Sequence, residues 1–140
     1  EKNKDNPVFY CQYAYARASS VINNAKKLSN IDISKISFTD FDNLSISKFE
    51  WEIILKLISW PYILQEAASS MQPHKLTNYL EDLCSNFHVF WNKGKDDSSL
   101  RMLDENNVKS TISRIIWIQS FRNILKEVFT IIDISFPENM

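Results

Sequence analysis

Asn6-Pro7-Val8-Phe9-Tyr10-Cys11-Gln12-Tyr13-Ala14-Tyr15-Ala16-Arg17 reads as the opening of a helix. Asparagine caps helices well, and proline suits the first helical position because it has no amide proton to leave unpaired. The spacing predicts a helix running to about Ser29. Val8, Cys11, Tyr15, Ala18, Ile22 and Ala25 recur at intervals of three and four, so they share one face, expected to be core.

The same pattern continues outward from this stretch. Residues 30–45 hold Ser, Asp and Asn between single apolar residues and read as a loop, laying Ile33, Ile36, Phe38 and Phe41 on the bundle. Ser45 or Ser47 can cap a second helix to about Trp60, with Phe49, Ile53, Ile54, Leu57 and Ile58 as its apolar stripe. Pro61 is expected to break or kink it, leaving a third helix from about Pro61 to Ser70. Gln72-Pro73 starts a fourth, with Leu76, Tyr79, Leu80, Leu83, Phe87 and Phe90 on its buried side. Lys93 to Asn107 reads as a polar loop, and the last helix spans about Val108 to Ile134. The expected architecture is all-α: one bundle of about five helices across residues 1–140.

Composition supports this and excludes much else. The chain has 140 residues and one glycine, Gly94. Average usage near 7% would give about ten. Neither a GxGxxG dinucleotide turn nor a GxxxxGK[ST] phosphate loop can be built without that backbone freedom. Hairpin-rich β architectures are disfavoured for the same reason. No apolar run reaches the roughly 18 residues of a membrane span. The start, Glu1-Lys2-Asn3-Lys4-Asp5, is charged and lacks a following apolar segment, so no signal peptide is visible. No initiating Met is present, which suggests a piece of a longer chain. Cys11 and Cys84 are too few for a disulfide framework and read as reduced, partly buried thiols, compatible with a cytoplasmic setting.

Catalytic chemistry finds little support. His74 and His88 have no evident nucleophile and carboxylate beside them. Cys84 and His88 are four apart and would share a helix face, but a structural zinc needs four ligands and no second such pair exists. The plain reading puts Cys84 at the core edge and His88 in water. Adjacent acids such as Glu81-Asp82 point to different sides of a helix and read as solvated.

The first helix carries a stronger signal. Sixteen basic and seventeen acidic residues nearly cancel overall, yet Asn6 through Ile31 contains no Asp or Glu. Arg17, Lys26 and Lys27 all lie there. Tyr10, Tyr13 and Arg17 fall within about 60° of each other around the helix, beside the core stripe. Two phenol rings and a guanidinium on one edge suit single-stranded RNA, whose splayed bases stack on aromatic faces while arginine stacks or forks onto phosphate.

The opening stretch resembles the helix that begins the anticodon-binding domain of arginyl-tRNA synthetases, with the approximate pattern NPVFYVQYAHAR. Cys11 stands for an apolar residue and Tyr15 for His. Glu66-Ala67-Ala68 and then Gln72-Pro73-His74-Lys75-Leu76 are similar to EA-A followed by EPHRL. Tyr79-Leu80, Leu83-Cys84, Phe87 and Phe90-Trp91-Asn92 resemble YL-x-x-LA-x-x-F-x-x-FYN, with Trp91 for Tyr. The end, Pro137-Glu138-Asn139-Met140, resembles PERM. The segment Ser113-Arg114-Ile115-Ile116-Trp117-Ile118 departs from the family's small-residue pattern, Trp117 most of all.

The resemblance implies a C-terminal helical domain of the DALR type in a class I arginine–tRNA ligase. Such an enzyme activates arginine with ATP and magnesium and esterifies it to tRNA(Arg). Its HIGH-like and KMSKS-like motifs belong to an upstream Rossmann-type domain and are not present here, so no catalytic residue, metal or cofactor is expected within these residues. The expected partners are the tRNA(Arg) anticodon loop and the catalytic domain, with no membrane. The residues implied to meet RNA are Tyr10, Tyr13, Arg17 and Met140, followed by Phe90 and Trp91. The competing readings are the same domain in the glycyl β subunit or the cysteinyl enzyme, and a helical protein-interaction module without RNA.

Overall fold

Asn6 Oδ1 accepts from the Val8 amide at 2.9 Å, and Pro7 follows as the first residue of α1 (Pro7–Ala25). In the computed structural model, which describes residues 6–32, 35–36 and 45–136, three more α-helices follow: α2 (Lys48–Ser69), α3 (His74–Asp96) and α4 (Val108–Ile131). A single 3₁₀ turn, Ser98–Leu100, separates α3 from α4. Among the described residues there is no strand.

Among the described residues the α-helices number four where the sequence predicts about five, because Pro61 lies inside α2 without ending it. Pro61 cannot donate to the carbonyl one turn back. The carbonyl next to that gap, Lys56 O, accepts from Tyr79 Oη and from Ser59 Oγ, each at 2.8 Å. Two hydroxyls thus support the turn that the proline weakens. Helix α1 stops at Ala25, four residues before the expected end, and tightens through Lys27 N to Asn24 O and Leu28 N to Ala25 O. Ser47, not Ser45, caps α2. Its hydroxyl accepts from Glu50 N, and the Glu50 carboxylate accepts from Ser47 N at 2.8 Å, a reciprocal capping box.

The corner after α2 closes as a Schellman turn. Met71 adopts the left-handed conformation at φ 56°, with Gln72 N bonded to Ala67 O and Met71 N to Ala68 O. Asp133 does the same after α4, at φ 57°. Glycine is the usual residue at such positions. The chain's one glycine is used elsewhere. Gly94 sits within α3, not in a loop as expected, and a Cβ there would lie 2.8 Å from Leu100 O. Glycine lets the 98–101 segment rest directly on the helix.

Helix α1 packs on α4 and α3, and α2 packs on α3 and α4, so α1 and α2 lie on opposite flanks. Phe87 stacks on Phe121 at 4.6 Å in the middle. Tyr15, expected on the core stripe, is buried against Phe129 and Phe136. Val8 and Ile58 depart from their expected core positions and are exposed. Ile36 packs on a small second cluster with Ala25, Ile31 and Ile115, whereas Ile33, Phe38 and Phe41 lie outside the described residues. Among the described residues, no helix is long and apolar enough to cross a membrane.

Arg114 is the largest fully buried side chain. Its Nε donates to Glu50 Oε1 at 3.1 Å, Nη2 to Ser99 O at 2.8 Å, and Nη1 to Arg101 O. Trp117 Nε1 donates to the same Glu50 Oε1 at 3.2 Å. The departure at Ser113–Ile118 therefore has a local reason: the large Trp117 finds its partner in the carboxylate that also holds Arg114.

Candidate nucleic-acid interface

Residues four apart on a helix lie one above the other, and α1 carries Phe9, Tyr13 and Arg17 at that interval. Phe9 and Tyr13 are nearly parallel, 6° apart in plane, with centroids at 6.5 Å. The Arg17 guanidinium covers the Tyr13 ring at 4.0 Å and donates to Tyr13 Oη at 2.7 Å. Helix α3 brings up Trp91, whose ring lies 4.8 Å from the same guanidinium. Tyr13 is exposed, while Tyr10, Arg17 and Trp91 are half-buried.

Four of the six expected residues thus meet at one edge between α1 and α3: Tyr10, Tyr13, Arg17 and Trp91. Phe90 does not join them, which corrects the expectation of a surface contact there. Neighbouring helical residues point about 100° apart, so when Trp91 faces the edge Phe90 turns inward. It is fully buried, edge-on to Trp117 at 5.6 Å. Met140 lies outside the described residues.

His88 is a further member, and its expected exposure to water is corrected: it is 6% exposed. Its Nδ1 lies 3.1 Å from Arg17 Nη1 and its Nε2 3.2 Å from Tyr10 O. Its ring packs on Tyr10 at 4.3 Å and Tyr13 at 5.9 Å. Burial pushes the imidazole below its ordinary pKa; the Tyr10 carbonyl opposes this and the Arg17 charge adds to it. Burial also pushes the Tyr10 phenol up, against a hydrogen bond with Ser85. The ring of Tyr10 is therefore a neutral surface at any physiological pH. His88 lies three residues before Trp91, a spacing that puts both on one side of the helix and could have signalled that His88 shares the edge; a sequence search for catalytic partners misses it.

The electrostatics single out Arg17. Two of its five N–H groups have partners, Tyr13 Oη and His88 Nδ1. Among the described residues no carboxylate pairs with it. It is a cation held flat by aromatics, with donors left over for an anion or a base edge.

The other titratable groups do not form a centre. Cys11 and Cys84 are free and fully buried, deeper than expected, and burial pushes the Cys84 thiol up, with the Cys11 sulfur adding to the effect. Such a thiol is inert. Among the described residues no three His, Cys, Asp or Glu side chains converge as a metal site requires.

The family model for the DALR anticodon binding domain matches residues 11–140. The chain belongs to the DALR anticodon-binding domain family. The DALR chain is 39% identical over 141 residues to a protein named arginine–tRNA ligase from Rhizobium leguminosarum bv. trifolii. It is 38% identical over 142 residues to the one from Bartonella bacilliformis. Both alignments cover all of this chain and 24% of the relative, so the DALR chain spans about a quarter of the relatives' length. A solved structure from Campylobacter jejuni, described as an arginyl-tRNA synthetase, superposes with a TM-score of 0.75 at 21% identity. It covers 100% of this chain and 28% of its own, and shares the DALR fold.

Proposed function

We propose that this domain is the anticodon-reading module of an arginine–tRNA ligase. The observation that carries the proposal is Arg17, a cation with no carboxylate partner among the described residues, laid over Tyr13 and Trp91 on an edge of α1 that carries no acid. The aromatic faces suit unstacked bases of the anticodon loop, each stack being worth about 1–3 kcal/mol. The guanidinium fork suits phosphate or a base edge. Met140 enters the proposal from the family resemblance. The names of the relatives support arginine as the amino acid. The whole enzyme would activate arginine with ATP and magnesium in its catalytic part and attach it to tRNA(Arg) in the cytoplasm.

The second partner is the catalytic part itself. Trp51, Leu55, Ile58 and Tyr62 form an exposed stripe on α2, from 48% to 73% accessible, on the flank away from α1. Beside it, a groove of about 520 Å³ between α2 and α4 is lined by Ile54, Ile58, Ile116 and Ile124. A contiguous apolar surface of this kind marks an interface. It supports docking to protein on one flank while RNA binds the other.

The test is a titration with the anticodon stem-loop of tRNA(Arg) between about 50 and about 200 mM salt. Affinity is expected to fall with salt, and Arg17→Ala to weaken binding about tenfold or more, the order of a lost charge-assisted hydrogen bond, without loss of folding. The family resemblance implies a preference for C at the middle anticodon base, and equal affinity for a stem-loop with that base changed would overturn the preference. Binding that ignores salt and Arg17 would favour a protein-interaction module instead.

A further inference from the structure

Both nitrogens of His88 are occupied, and their partners dictate which one carries the proton. A backbone carbonyl only accepts, so Nε2, facing Tyr10 O, is the donor. A guanidinium only donates, so Nδ1, facing Arg17 Nη1, holds the lone pair. The ring is therefore the neutral Nε2–H tautomer. An imidazolium has no lone pair, so it would lose the bond and set a second cation against Arg17.

The side chains around the ring favour the neutral form, and only the Tyr10 carbonyl pulls the other way. Helix α1 presents Arg17 and the phenols of Tyr10 and Tyr13. Helix α3 presents Phe87, and α4 reaches this region through Phe121 behind Phe87. No carboxylate among the described residues acts to hold a second proton on the ring.

The geometry points to His88 as a positioning residue: as a neutral acceptor it fixes the plane of the Arg17 guanidinium, tying the RNA-facing cation to the backbone of α1 through its own Nε2–H. The hydrogen bond to Tyr13 Oη constrains one end of the guanidinium and His88 the other. With both in place the remaining N–H groups have a set direction. This rests on the reading of the edge as an RNA site. It adds that base discrimination, more than affinity, depends on a residue with no need to touch RNA. Protonation adds positive charge, so acid is expected to preserve overall RNA attraction while eroding discrimination.

The experiment uses this chain and two anticodon stem-loops differing at the middle base. His88→Phe keeps the ring packing and removes both nitrogens. His88→Asn places an acceptor, Oδ1, where Nδ1 stands. Discrimination between the two stem-loops is expected to fall about tenfold in His88→Phe, the order of one hydrogen bond to a charged group, and to recover in His88→Asn. The unaltered chain should lose discrimination on acidification while His88→Phe shows no pH dependence. Nitrogen NMR of the His88 ring at neutral pH gives a readout independent of RNA, with Nε2 protonated and Nδ1 bare. The opposite tautomer, an imidazolium at neutral pH, or full discrimination in a folded His88→Phe chain overturns the inference and leaves the RNA reading standing. If the unaltered chain binds neither stem-loop, the RNA reading falls, and this inference falls with it.

Discussion

Two arginines on two helices have opposite fates, and the difference lies in what surrounds them. Arg114 is buried with a carboxylate and two carbonyls arranged around it. Arg17 stays at an edge with aromatic faces and a neutral imidazole, and keeps donors to spare. In the sequence each is simply a basic residue inside a helix. The acid-free run from Asn6 to Ile31 is what marks Arg17 beforehand; nothing local marks Arg114, because Glu50 lies 64 positions away. His88 yields a prediction at this same scale. Its folded pKa is lowered, so the unfolded chain, near the ordinary value of about 6.5, binds protons more readily. The stability that the neutral ring contributes is fully present above about pH 6.5 and is lost as pH falls through the lower folded value. Urea unfolding at about pH 7.5 and about pH 5.5 should show a larger loss for the unaltered chain than for His88→Phe. An equal loss in both would place the acid sensitivity in other groups.

At the scale of helices, beginnings were easier to read than endings. Asn6-Pro7 and Ser47 followed by Glu50 are explicit start signals, and both caps form. Stop signals normally come from glycine, and this chain offers none at its helix ends. Helix α1 therefore gives no sequence mark at Ala25, and the turn after α2 is closed by Met71 in the left-handed conformation. A side chain in that conformation costs about 1 kcal/mol relative to glycine. Met71 is almost fully exposed, so its side chain adds little packing in return. Met71→Gly is expected to raise unfolding free energy by about 1 kcal/mol, measured in urea; destabilisation would show that the thioether makes a contact worth more than the strain. Pro61 misled in the other direction. The helix runs on through it, with the neighbouring Lys56 carbonyl accepting from Tyr79 and Ser59, and a hydroxyl arriving from another helix is invisible in local sequence.

At the scale of the whole molecule, periodicity was enough to give the all-α class and most of the core, because helical spacing records burial directly. It could not give the link between the α2 start, α4 and the 98–101 segment. Glu50 closes the α2 capping box, pairs with Arg114 and accepts from Trp117. Removing one member of a buried pair leaves an uncompensated charge, at a cost of about 3–5 kcal/mol. Glu50→Ala is expected to lose that much stability in thermal or urea unfolding. A loss under about 1 kcal/mol, the range of an exposed pair, would mean that water reaches Arg114 in its place.

Gly94 belongs to the same link, although it carries no charge. The carbonyl its missing Cβ makes room for is that of Leu100, between the Ser99 and Arg101 carbonyls that hold the Arg114 guanidinium. Every other amino acid carries a Cβ, so no inherited change at this position is conservative. Each would lift the segment off α3 and pull two acceptors away from a buried cation. For a lineage drifting away from glycine, this is the codon with nowhere to go.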